Sequence, residues 1–183
     1  MISDLLDEAE HKMEMAVGHV AGEFATVRTG RANPQLLQRI TVDYYGTPTT
    51  LQQLATIAVP EPRLLVIQPF DKSTVNDIEK AIQNSDLGLN PSNDGSVIRI
   101  AFPPLTEERR KELIRLVRHM AEEGRVAVRN VRRHIKSDME ALHGEISDDD
   151  IRRGEDELQK LTDTYIEKID SLLANKEAEL LEV

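Results

Sequence analysis

Arginine is the side chain best suited to gripping phosphate, because its planar guanidinium offers five N–H donors in a fixed fork. This 183-residue chain gathers its arginines in one place. Between Leu105 and Lys136, ten Lys/Arg stand against five Glu. That stretch carries net +5 inside a protein of net −10, so the remainder sums to −15. Wound at about 100° per residue, Lys111, Arg115, Arg118, Arg125, Arg129, Arg132 and Lys136 fall within one arc of about 100°, interrupted only by Glu122. Acidic residues at i±4 are scarce along its C-terminal half, so the charge there is not cancelled within the helix. A row of this kind suits a polyanion. The bland alternative is a solvated helix flank.

Other chemistry is thinly supported. Phosphate-binding glycine loops, GxSxG and HExxH are all missing from the sequence. With no cysteine there is no thiolate nucleophile, no disulfide and no Cys-based metal site, which fits a reducing compartment. Asp148-Asp149-Asp150 resembles a magnesium ligand set but is better explained as helix capping. The five histidines lack metal-ligand spacing: His11, His19, His119 and His134 fall on helix surfaces and His143 near a helix end. Tyr44 and Tyr45 have the rings to stack on bases, but strand alternation sends only one outward. No catalytic residue, metal or cofactor is assigned.

The elements that must hold the basic row follow from periodicity. Leu113, Val117, Met120, Gly124, Ala127, Val131 and Ile135 recur at threes and fours and define an apolar seam beside it. An opening helix over 3–28 carries Leu6, Ala9, Met13, Val17, Val20, Phe24 and Val27, with Ser3 or Asp4 as cap. Gly18 and Gly22 in it would let a neighbouring helix approach closely. A closing helix from Ser147 presents Ile151, Leu158, Leu161, Tyr165, Ile169, Leu172 and Leu180. Three long helices with one seam each predict a bundle. The first and third are acidic, −5 over 1–27 and −7 over 147–183, so the bundle should be electrically two-faced.

Between Arg31 and Pro104 the texture changes: net charge falls to near zero, prolines cluster and the period shortens to two. Strands are expected at 40–45, 55–59, 63–68 and 97–102, a helix at 74–84, and a short Asn33-capped turn at Pro34. The fold class is α+β: an antiparallel three-helix bundle, residues 1–29 and 105–183, with a small β/α/β domain at 31–104 inserted. The joints fall near 29–31 and 103–105, at Thr29-Gly30 and Pro103-Pro104. A hinge and a rigid corner fixed by proline both fit these residues. The N-terminus lacks the basic and apolar regions of a secretory signal, and no apolar run reaches membrane-span length. A cytoplasmic protein with no membrane partner is expected.

VRTGRANP (27–34), DYYGTPTTLQQLA (43–55), SDLGLNP (85–91), PPLTEERRKEL (103–113), RVAVRNVRR (125–133) and KEAELLEV (176–183) stand in this order along the chain. Together they resemble the bacterial ribosome recycling factor family over essentially the whole length. The resemblance implies an L-shaped protein, a three-helix bundle and a smaller domain on flexible joints, acting as a monomer. It implies a translation factor without catalytic activity that, with elongation factor G, splits the post-termination ribosome into subunits, GTP being used by that partner. The implied partners are the large subunit and its ribosomal RNA, not DNA. Arginines matching Arg28, Arg31, Arg129 and Arg132 would lie on the RNA side, and Arg118, Arg125 and Arg133 extend that candidate set. The connection ALHGEIS (141–147) is about two residues shorter than the family pattern.

A rival from another class is a helical adaptor or chaperone module whose basic face binds an acidic protein. It is separable because such an adaptor has no reason to sediment with bare large subunits. An RNA-processing enzyme is a third reading, which requires divalent-dependent turnover.

Overall fold

The computed structural model describes residues 1–182 and divides into two units. The first joins Met1–Thr29 to the chain from Thr106 onward; the second is Gly30–Leu105.

The first unit is three helices: α1 Ile2–Thr26, α4 Glu107–Glu140 and α5 Asp148–Leu181, numbered to leave α2 and α3 for the second unit. Thr106 and Ser147 cap the two long ones, accepting from the N–H groups of Arg109 (3.1 Å) and Asp150 (3.2 Å). Carboxylates follow in each first turn, where the helix dipole favours them. The expected cap on α1 is corrected. The helix starts at Ile2 with no side-chain cap, and Asp4 pairs instead with the terminal ammonium at 3.1 Å.

Side-chain pairs fix the helix directions. Arg118 meets Glu177 and Arg125 meets Asp170, so α4 and α5 run antiparallel. Gly154 of α5 lies against Ile2 and Tyr165 reaches Glu10, so α1 and α5 run parallel. The core is Ala9, Met13, Val20 and Phe24 of α1 with Val117, Ala121, Val128 and Ile135 of α4 and Leu158, Tyr165 and Ile169 of α5.

Two expectations about this core shift. On α4 the fully buried row is Leu113, Val117, Ala121, Gly124, Val128, Ile135 and Met139, while Met120, Ala127 and Val131 are only half-buried. The buried stripe is therefore turned about 40° from the expected seam toward the arginines. A small residue explains the rotation, because Ala121 admits the neighbouring helices more closely than Met120 does. Gly18 and Gly22 are not the close-approach positions, since a Cβ on either meets nothing within 4 Å. That role falls to Gly124, where a Cβ would collide with Val20 Cγ2 and lie 3.3 Å from Ile169 Cδ1, and to Gly154, 2.8 Å from Ile2 Cγ2.

The second unit holds β1 Thr41–Tyr44, β2 Thr47–Thr50, a single helical turn α2 Leu51–Leu54, β3 Ala55–Glu61, β4 Leu64–Pro69, α3 Val75–Gln83, β5 Pro91–Asn93 and β6 Ile98–Ala101. Its four-stranded antiparallel sheet has the order β3-β4-β6-β5, and β1 and β2 form a separate hairpin. Alternation buries Leu65 and Ile67 of β4 and Ile98 and Ile100 of β6 against Ile78 and Ile82 of α3. β2, α2 and β5 lie outside the expected elements. Tyr45 and Gly46 both have positive φ (50° and 81°), which makes the two-residue turn that closes β1 on β2. Tyr44 packs toward the core while Tyr45 points to solvent, 83% exposed, its ring edge-on to Tyr44 at 4.6 Å.

Candidate nucleic-acid interface

The arginine row lies along α4, and the rotated seam changes its character. Arg125 and Arg132 now stand at the edge of the buried stripe and are half-buried. Arg118, Arg129 and Arg133 remain exposed.

The row is also partly neutralised, by a helix that linear spacing cannot reveal. Arg118 Nε donates to Glu177 at 2.5 Å, and Arg125 Nε donates to Asp170 at 2.7 Å, both carboxylates belonging to α5. Glu122, the one interruption in the row, accepts from Arg125 at 3.0 Å and Arg129 at 3.2 Å. Hydrogen bonds from Arg125 first, then Arg129, hold the Glu122 carboxyl below its ordinary range. Burial works against the Arg125 charge, but Asp170 and Glu122 outweigh it and raise its pKa. Lys111 pairs with Glu107 and Lys136 with Glu140. Arg133 donates to Asn130. Arg115 and Arg132 have no ion-pair partner among the described residues.

Each arginine that is paired keeps donors in hand. Arg118 uses Nε and Arg129 one terminal nitrogen, so phosphate oxygens can add to the same guanidinium without displacing the carboxylate. The carboxylates also fix the forks in place, which lowers the entropy lost on binding. Arg132, half-buried, and Arg115, exposed, are the arginines of the row whose charge is left for an external anion to meet.

Arg28 follows α1 in the first unit and Arg31 lies in the second; both are exposed and both have partners. Gly30 adopts φ +78°, with Leu105 Cγ 3.5 Å and the Pro103 carbonyl 3.6 Å from where a Cβ would stand. The two passages of chain therefore run side by side. Among the described residues no group of three or more His, Cys, Asp or Glu is arranged to hold a metal ion. None of their helices is long and apolar enough to cross a membrane.

The model of the ribosome recycling factor family matches residues 20–181. The chain belongs to the ribosome recycling factor family. It is 60% identical to the ribosome-recycling factor of Rubrobacter xylanophilus over 186 residues, and 58% identical to that of Acidothermus cellulolyticus over 185, covering both chains completely each time. A solution structure of a ribosome recycling factor superposes with TM-score 0.77 at 48% identity, covering all of this chain and 98% of the other. A second match, with TM-score 0.64 and 47% identity over the whole of both chains, is the T. thermophilus ribosome recycling factor as placed, with E. coli elongation factor G, on the E. coli post-termination complex. Ribosome recycling factors are non-catalytic translation factors that bind the post-termination ribosome and act with elongation factor G. The helical bundle and small sheet domain are the architecture of that family.

Proposed function

We propose that the α4 arginines are the surface by which this recycling factor grips large-subunit ribosomal RNA, with Arg129, Arg132 and Arg133 at its centre and Arg118, Arg125 and Arg28 extending it. The observation that carries this reading is a solvent-facing arginine row, with Arg132 unpartnered, on a protein whose other surfaces are net negative. Arg31, in the second unit, joins the set through the family pattern. Contacts of this type hold phosphate and shape and read little sequence. They release counterions on binding, so affinity falls with salt and the factor can leave once its work is done. Acidic α1 and α5 are repelled by RNA, so only one orientation docks.

Thr29-Gly30 and Pro103-Pro104 then serve as the joint across which residues 31–104 move as a domain while the bundle of 1–29 and 105–183 stays on the RNA. Elongation factor G would supply the force from its own GTP hydrolysis, and this chain needs no cofactor. The factor works as a monomer in the cytoplasm, where its ribosomes are. Two measurements test this. The protein should sediment with bare large subunits, and its footprint on large-subunit RNA should shrink when Arg129 and Arg132 are both replaced. Failure to sediment, or a footprint indifferent to those replacements, refutes the assignment.

A further inference from the structure

The face of the bundle opposite in charge to the arginines is unused by RNA binding. On it, the parallel helices α1 and α5 leave a groove with two apolar-floored recesses. One lies between Leu6 and Leu161 and is edged by Asp7, Glu10 and Glu157. The other, of about 500 Å³, lies between Val17, Ala21 and Leu172 and is edged by Glu167 and Lys168. Leu161 and Leu172 are eleven residues apart on one helix, which at 1.5 Å per residue separates the recesses by about 16 Å.

Four carboxylates, three of them at the first recess, and one lysine edge the groove. The one lysine on its rim is held over the Tyr165 ring, 4.3 Å from Nζ to centroid, and the Tyr165 hydroxyl is turned to Glu10. Burial first, then the charges of Glu10 and Glu14, push the Tyr165 phenol up.

We propose that this groove docks a cationic amphipathic helix from a protein partner, its apolar residues spaced eleven apart and its lysines or arginines facing the carboxylate rims. Two apolar anchors three helical turns apart give such a helix its register, and helix-in-groove recognition needs only those anchors and a complementary rim. RNA is disfavoured because the rim repels phosphate. The site does not depend on the arginine row, so the factor can hold RNA on one face and protein on the other.

The test uses the full-length protein and a fluorescent 18-residue lysine-rich helical peptide with leucines at positions 4 and 15. A scrambled peptide of identical composition is the control. The designed peptide should bind at least tenfold more tightly than the scrambled one. Glu157→Lys combined with Glu167→Lys should weaken it tenfold or more, and Leu172→Gln should weaken it several-fold. Sedimentation with large subunits should be unchanged in all variants whose circular dichroism matches the parent. Equal affinity for the two peptides, indifference to the charge reversal, displacement by single-stranded RNA, or self-association of the parent through this face would each overturn the proposal.

Discussion

Gly124 and Gly22 are both helix-interior glycines, and the structure assigns them opposite responses to the same substitution. Replacing an interior glycine by alanine relieves about 0.5–1 kcal/mol of backbone entropy cost. Gly22→Ala should therefore stabilise by about that amount, because its new methyl meets nothing within 4 Å. Gly124→Ala gains the same term, but its methyl enters space held by Val20 Cγ2 and comes within 3.3 Å of Ile169 Cδ1. Valine is stiff at χ1 in a helix, so α1 must move away from α4. Overpacking a close-packed core costs about 1–3 kcal/mol. The net is a loss of about 1–2 kcal/mol, which sets the two variants about 2 kcal/mol apart. Urea unfolding followed by the helical circular dichroism signal reads this as midpoints displaced in opposite directions at constant slope. Val20→Ala should recover part of the Gly124→Ala loss, giving a favourable coupling of about 1 kcal/mol in a double-mutant cycle. If Gly124→Ala proves as stable as Gly22→Ala, α1 and α4 are not packed as closely as argued.

Arg125→Ala should destabilise the bundle by about 1 kcal/mol through its half-buried stem and two carboxylate partners, whereas Arg118→Ala, whose pair is exposed, should leave the unfolding midpoint in place. Asp94 accepts from the Val97 and Ser96 N–H groups and from Arg99, which together hold its carboxyl far below the usual range. A depressed folded pKa stabilises fully above the ordinary carboxylate value of about 3.9 and loses that contribution as pH falls further. The amide signals of residues 94–99 should therefore lose protection on acidification below about pH 4, and Asp94→Asn should weaken them at neutral pH while flattening that dependence. Gly30→Val forces a β-branched residue into φ +78° with Leu105 3.5 Å away. It should depress subunit splitting more than melting temperature if the joint must move, and both equally if the joint is only structural.

The bundle was legible because three long runs kept one apolar stripe each, and the Ser147 cap lies within a few bonds of what it caps. The rotation of the α4 seam was not. Met120 outranks Ala121 on any hydrophobicity count, and only the packed neighbours favour the smaller side chain. Gly18 and Gly22 misled for the same reason, since a glycine reports permission to approach and not which helix approaches. Of the arginine row, its face and its composition were readable. Its partners were not, because Glu177 and Asp170 are 59 and 45 residues from the arginines they pair with. In the second unit, β4 and β6 alternate clearly, whereas β2 (TPTT) and β5 (PSN) carry no apolar signal and exist by pairing with a neighbour.

The most direct test is the salt dependence of large-subunit binding by the parent, Arg132→Ala and Arg132→Lys. Arg132 is half-buried, so unfolding midpoints are measured alongside to separate lost packing from lost contact. Arg132→Ala should weaken binding by about 1–3 kcal/mol and shallow the slope of log affinity against log salt by about one phosphate contact. Arg132→Lys should restore the slope but only part of the affinity, because the charge survives and the fork does not. Lys168→Ala on α5 should bind as the parent does. If Arg132→Ala binds with unchanged affinity and slope while Lys168→Ala abolishes binding, α4 is a solvated flank and the RNA surface lies elsewhere.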